Sequence, residues 1–206
     1  MPRTDDPSAD AGDPRLSRAD IVQAALDLVD EVGLEGLTMR RLADRLDASP
    51  MGLYRHVRNK EDLERALLDR TMRVTVLATN EAPTDAVERT VGFCVRLRAQ
   101  MLEHPFLVPL ILTRPDIRTD HPESVALIRA VLVAAGIDDT LVPTAFTSLS
   151  AFIMGFVALE TSAGADPDRA REFGALLEPD GGPDRDDRFE VGVRAILTGL
   201  RQASTG

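Results

Sequence analysis

From Ser17 to Val57 the apolar residues of this 206-residue chain recur at three- and four-residue spacing, with interruptions so short that only helices joined by tight turns can fit. Ile21, Ala25, Leu28, Val29 and Val32 fall on one face of a helix predicted over about 17–33, and Asp20, Gln23, Asp27, Asp30 and Glu31 on the other. Ser17 supplies an N-cap hydroxyl for the orphan amides of the first turn, and Gly33 suits a left-handed exit. Thr38 caps a second helix of about two turns carrying Met39, Leu42, Ala43 and Leu46, with Arg40, Arg41, Asp44 and Arg45 facing outward. Asp47 and Ala48 then form a break, and Ser49-Pro50 reads as the N-cap and first position of a third short helix ending near Val57. Two short helices around a three-to-four-residue turn have the helix-turn-helix form, in which the first braces the second.

The helical period continues to the end of the chain, and an all-α fold follows. Asn59, with Asp62 three residues later, starts a longer helix to about Ala78, and Pro83 closes that region. Further helices are expected at roughly 84–103, 105–113, 122–135, 140–163, 168–177 and 185–203, broken at Pro105, Pro115, Pro122, Gly136 to Asp139, Gly164 to Pro167, and the polar stretch Pro179 to Asp187, within which Asp180 to Asp187 reads as a Gly, Pro and Asp-rich loop. No internal repeat is present. The domain reading is a disordered arm over 1–14, rich in Pro and acids, a helix-turn-helix domain over 15–62, a connector helix over 63–82 and a second helical domain over 83–206.

The formal charge of −10 argues at first against nucleic acid, but a whole-chain sum conceals local patches. Between Leu37 and Lys60 six basic residues, Arg40, Arg41, Arg45, Arg55, Arg58 and Lys60, meet only Asp44 and Asp47, a net of +4 that leaves −14 for the remainder. Tyr54 is the only tyrosine, Lys60 the only lysine and His56 one of three histidines, so strong hydrogen-bonding groups for phosphates and base edges gather within seven residues. The acidity elsewhere would disfavour any docking on DNA except through this segment. A single cysteine, Cys94, excludes an internal disulfide framework and a multi-cysteine zinc site. Without a signal-like start or an apolar run of about 18 residues, a cytoplasmic protein with no membrane partner is expected.

The stretches Leu37-Thr38-Met39-Arg40-Arg41-Leu42-Ala43 and Leu53-Tyr54-Arg55-His56-Val57-Arg58-Asn59-Lys60 resemble the DNA-binding domain of the tetracycline-repressor (TetR) family. The likeness spans roughly residues 17–75, with Gly33, the Gly36-Leu37-Thr38 lead-in and Asn59-Lys60 at the family's spacing. It implies a transcriptional regulator with double-stranded DNA as its partner. By the resemblance and by chemistry together, Thr38, Tyr54 and Lys60 would bind phosphates, while Arg40, Ser49, Pro50, Met51, Gly52, Arg55 and His56 would read bases. Asp47 departs from the glycine common at that turn position; it bears the cost of a left-handed conformation and adds negative charge.

The segment 84–163 is too apolar to bury itself against one core, so some faces require a ligand or a partner chain, as the resemblance also implies. A homodimer is expected, with Phe152, Gly155, Phe189, Val193, Ile196, Leu197 and Leu200 at its interface, placing two reading heads about 34 to 36 Å apart on DNA or a multiple of that distance. Leu97, Met101, His104, Phe106, Leu110, Arg114, Phe146, Thr147, Leu149, Ile153 and Phe156 are the candidate lining of a pocket for a small organic effector. A weaker resemblance to the C-terminal domain of the tetracycline repressor runs through Thr113-Arg114-Pro115 and Phe152 to Glu160, but Leu110 stands where that repressor carries a magnesium-binding histidine. Neither a metal nor another cofactor is expected. The function read from the sequence is therefore a ligand-responsive dimeric repressor that binds an inverted-repeat operator. The alternative is a small helical enzyme or carrier acting on an apolar small molecule, although no Gly-x-Ser-x-Gly, phosphate-binding glycine loop or His-Glu-x-x-His is present and Cys94 has no neighbouring base in the sequence.

Overall fold

A computed structural model describes residues 16–77, 85–113, 122–162 and 184–205. The arm over 1–14, the helix expected at 168–177 and Arg114 lie outside the described residues. Those described form helices and no strand: α1 (Arg18–Gly36), α2 (Met39–Arg45), α3 (Pro50–Tyr54), α4 (Lys60–Leu77), α5 (Ala86–Glu103), α6 (Leu107–Thr113), α7 (Pro122–Ala134), a 3-10 turn (Asp139–Leu141), α8 (Val142–Ser162) and α9 (Arg185–Ala203). They divide at Arg70 and Thr71 into two compact units. The first half of α4 therefore belongs to the first unit, where Leu63 and Leu67 are fully buried, and not to a separate connector beginning at residue 63.

The first unit is built on local signals that the sequence states openly. Ser17 and Asp20 form a reciprocal capping box at the start of α1: the Ser17 hydroxyl accepts from the Asp20 amide at 3.2 Å and the Asp20 carboxylate accepts from the Ser17 amide at 3.0 Å. Gly33 has φ +74°, the left-handed geometry expected of it, and one more helical turn follows the kink before Leu37. Ile21, Ala25, Leu28 and Val29 are core as expected, joined by Val22 and Leu26, but Val32 is 44% exposed because it lies at the end of the stripe, beside the kink. Leu42, Ala43, Leu53 and Val57 complete the core from the α2 to α4 side.

In the second unit α5 packs against α7, α8 and α9, and α8 against α9. Phe189, Val193 and Leu197 of α9 are fully buried within this single chain. Phe189 stacks on Phe152 at 5.5 Å and meets Phe156 edge-on at 5.2 Å between ring centroids. The buried Arg98 of α5 lies over both Phe156 and Phe189, at 5.3 and 5.1 Å, while its guanidinium forks onto Glu160 of α8 and reaches Asp186 of α9 at 2.7 Å. Asp184 caps α9 by accepting from the Asp187 amide at 2.8 Å, so the helix begins at Arg185 as expected and takes the last three residues of the polar stretch into its first turn.

Two expectations change here. The stripe of α9 assigned to a partner chain is covered by this chain's own α5 and α8; Ile196, Leu200 and Phe152 are only partly exposed, and Gly155 alone of the seven assigned residues stands open to solvent. A periodic stripe shows that a face is buried without showing what buries it. The second change concerns Asp139–Thr161, which by length and composition is long and apolar enough to cross a membrane although no apolar run of that length was expected. The outward side of α8 is instead a row of small, uncharged residues, Ala151, Gly155 and Ala158, followed by Leu159.

Candidate nucleic-acid interface

An isolated five-residue helix does not persist in water, so α3 exists only because its ends and one face are held. Its N-terminus is capped by Ser49, whose hydroxyl accepts from the Gly52 amide at 3.1 Å, with Pro50 in the first turn. Leu53 and Val57 are buried beneath it, which leaves Pro50, Met51, Tyr54 and Arg55 outward. Met51 is 74% exposed and Tyr54 45%, large apolar surface that the unit's own core does not use. Gly52 lies between them with no positive φ, and a Cβ there would meet nothing nearer than the Ser49 hydroxyl at 3.4 Å. Neither backbone geometry nor internal packing demands a glycine at this position.

α2 packs against α3. Thr38 accepts from the Arg41 amide at 3.2 Å, so its hydroxyl proton is left to donate outward. Asp47 turns the chain between α2 and α3 with φ +50°, the one positive-φ non-glycine among the described residues and the conformation expected of it. Arg40 is exposed and makes no hydrogen bond or ion pair with another described residue. Arg41 donates to the Gly36 carbonyl at 3.2 Å.

Three further cations carry acidic partners that a window over residues 37–60 does not count. Arg45 forks onto Glu31 with both contacts at 2.7 Å, and the guanidinium holds the Glu31 carboxyl below its ordinary pKa. Arg58 lies 3.6 Å from Asp62, and Lys60 lies 3.8 Å from Glu64 while its ammonium donates to the Leu34 carbonyl at 3.3 Å. Asp62 is the centre of this side of the unit. Its amide is capped by the Asn59 side chain at 2.8 Å, as the sequence suggests, and its carboxylate accepts from the Arg58 amide at 2.9 Å and from both ends of the Arg18 fork at 3.0 and 3.1 Å. The Arg18 hydrogen bonds, ahead of the Arg58 amide and charge, hold its pKa at about 2. Arg18 also donates to the carbonyl of His56 at 2.7 Å. Sequence reasoning missed this hub: Asn59-x-x-Asp62 announces a cap, but nothing local announces a partner 44 residues away.

Of the site residues expected in the first unit, Thr38 caps α2 and Arg40 lies on it, Ser49 caps α3, which carries Pro50, Met51, Gly52 and Tyr54, Arg55 and the half-buried His56 follow, and Lys60 opens α4; Thr38, Arg40, Ser49, Pro50, Met51, Tyr54 and Arg55 are exposed. The family model described as bacterial regulatory proteins, tetR family, matches residues 21–67. An HTH-type transcriptional regulator of Saccharopolyspora erythraea is 32% identical, covering 91% of this chain and 85% of its own length. The chain belongs to the tetR family. The class A tetracycline repressor of Escherichia coli, from transposon 1721, is also 32% identical over 90% of this chain and 91% of its own length. Among solved structures, apo ActR from Streptomyces coelicolor has a TM-score of 0.71 at 28% identity, covering 92% of this chain and 97% of ActR. ActR in complex with (S)-DNPA has a TM-score of 0.67 at 26% identity, covering 92% of this chain and 98% of ActR. The chain is accordingly a DNA-binding transcriptional regulator with the TetR fold.

Residues expected to line an effector pocket are distributed less evenly. Met101, Phe106, Leu110, Leu149 and Ile153 are buried, and Leu97, His104, Phe146 and Phe156 are half-buried. Thr147 is exposed, and Phe156 is engaged by Arg98 and Phe189. Cys94 is buried, and desolvation pushes its thiol pKa up to about 12, far from what a cysteine nucleophile needs.

Proposed function

We propose that this regulator is a dimeric repressor that reads an inverted-repeat operator with α3 and is released by a small organic effector. The observation that carries the DNA reading is the outward surface of α3, with Met51 and Tyr54 exposed around a glycine that nothing inside the protein requires. Thr38, Tyr54 and Lys60 anchor phosphates; Arg40 offers a guanidinium fork to guanine, and Pro50 and Met51 meet thymine methyls beside Gly52. Ser49 supports the reading helix through its cap, and Arg55 and His56 follow at the rim of the surface.

The second copy packs on the outer faces of α8 and α9, where Ala151, Gly155, Ala158 and Leu159 of α8 and Val191, Ala195 and Gly199 of α9 are exposed. A Cβ on Gly155 or Gly199 would meet nothing within 4 Å in this chain, so both leave room for close helix approach. The effector is an uncharged or weakly polar organic molecule held among Leu97, Met101, Phe106, Phe146, Leu149 and Ile153, with His104 as a polar anchor. A neighbour of this fold, ActR, has been solved with a bound ligand, (S)-DNPA, which supports ligand binding as such, whereas Leu110 offers no atom to a magnesium-drug chelate. Such a regulator works in the cytoplasm.

Titrating the protein with its own upstream DNA at increasing salt tests the proposal. Affinity should fall with salt while preference for an inverted repeat persists; salt-independent binding, or none, would overturn it. Lys60→Ala should weaken all sequences alike, and Arg40→Ala should in addition relax preference at one base pair by about 1 to 3 kcal/mol.

A further inference from the structure

The two ends of α3 are held by different means. The N-terminal end has a local cap, Ser49; beyond the other end, the carbonyl of His56 accepts from the Arg18 guanidinium at 2.7 Å. Arg18 is the first residue of α1, distant from α3 in sequence, and its fork is itself fixed by two hydrogen bonds to Asp62. That carboxylate is only 10% exposed and is held in turn by the Arg58 amide. One guanidinium thus ties the start of α1, the exit of α3 and the first turn of α4 together. We propose that Arg18 is a positioning residue for operator reading: by fixing the His56 carbonyl against Asp62 it sets the pitch of α3, and so the depth at which Met51 and the residues around it meet base edges.

The physical case rests on the shortness of α3. A five-residue helix has little rigidity of its own, so once the tie beyond its C-terminal end is released the whole helix, Met51 included, can shift on the core beneath it. Arginine suits the task because its planar fork engages a carboxylate with two donors at once and keeps a further N–H for a carbonyl, which a lysine ammonium cannot reproduce in the same geometry. Phosphate contacts tolerate such a shift, since they are few, long-armed and sequence-blind, but base-edge contacts do not. Loss of Arg18 should therefore reduce specificity more than general affinity.

The inference rests on the DNA-reading proposal above, and one experiment separates the two. Wild-type full-length protein selects a preferred duplex from a random-sequence pool, and a scrambled duplex of the same length and composition serves as the non-specific probe. Arg18→Ala and Arg18→Lys are then compared with wild type by fluorescence anisotropy on both duplexes, at a temperature where circular dichroism gives all three the same helical signal. Arg18→Ala is expected to lose about tenfold in affinity for the selected duplex, comparable to one lost base contact, with binding to the scrambled duplex within about twofold of wild type. Arg18→Lys should recover part of the loss. An equal loss on both duplexes would overturn the inference in favour of a direct phosphate contact, and a lower melting temperature with an unchanged affinity ratio would reduce Arg18 to a structural brace. If the wild type itself selected no sequence, the DNA-reading proposal would fall and this inference with it.

Discussion

Gly52 shows how a residue can be explained by what is missing around it. In a helix a glycine costs about 1 kcal/mol relative to alanine, and here a methyl group would meet only the Ser49 hydroxyl at ordinary contact distance. Gly52→Ala should accordingly raise stability, by up to about 1 kcal/mol in urea unfolding, while weakening operator binding; unchanged DNA affinity would mean that nothing approaches that face. Asp62 makes the opposite kind of argument, from an excess of partners. Its folded pKa of about 2 lies below the ordinary carboxyl value of 3.8, so its ionised form stabilises the fold at every pH above the ordinary value. That contribution declines as pH falls from about 4 towards 2, because the unfolded chain takes up the proton first. The stability gap between wild type and Asp62→Asn, read as the difference in urea midpoints, should therefore be constant above about pH 5 and shrink below pH 4.

At the scale of elements, the close contact between α8 and α9 turns on Gly192. A Cβ there would clash with the tip of the Phe152 ring, and that ring is held by Phe156 and Phe189. Gly192→Ala should destabilise the second unit by about 1 to 3 kcal/mol, visible as a lower unfolding midpoint, with Phe152→Leu in the same chain restoring part of it. Helix boundaries were legible in the sequence wherever a side chain closes its own turn: Ser17, Thr38, Ser49 and Asn59 all cap as their residue types predict. Gly33 and Asp47 likewise take the left-handed conformation that their positions suggest. What was not legible is which neighbour covers an apolar face. The period of Phe189, Val193 and Leu197 is identical whether the cover is this chain's α5 and α8 or a second copy, and only the three-dimensional contacts decide between them. The same limit hid the acid partners of the reading surface, since Glu31 and Arg45 are 14 residues apart and on different helices.

For the whole molecule, that hidden pairing changes the meaning of the charge. Three of the six basic residues between Leu37 and Lys60 face a carboxylate outside that window, Arg45 with Glu31, Arg58 with Asp62 and Lys60 with Glu64, so the local excess available to phosphates is smaller than +4. On the proposed reading, weak non-specific attraction puts the burden of affinity on engaging two half-sites at once, which a dimer would provide. The outer face of α9 gives the means to test this dependence without touching the reading surface. Ala195 is exposed in the single chain, between Val191 and Gly199 on the same side, so a long charged side chain there has room in a monomer but none in a close-packed helical interface. Ala195→Arg should leave the helical signal intact and sediment as a monomer. Its affinity for a full inverted repeat should fall by about a hundredfold or more, because the second half-site no longer benefits from tethering, while its affinity for an isolated half-site stays near the wild-type value. A dimeric Ala195→Arg protein would move the interface elsewhere; a monomer that still bound the full repeat as tightly as wild type would show that the heads act alone, and that the weak local charge is offset by base contacts within one head.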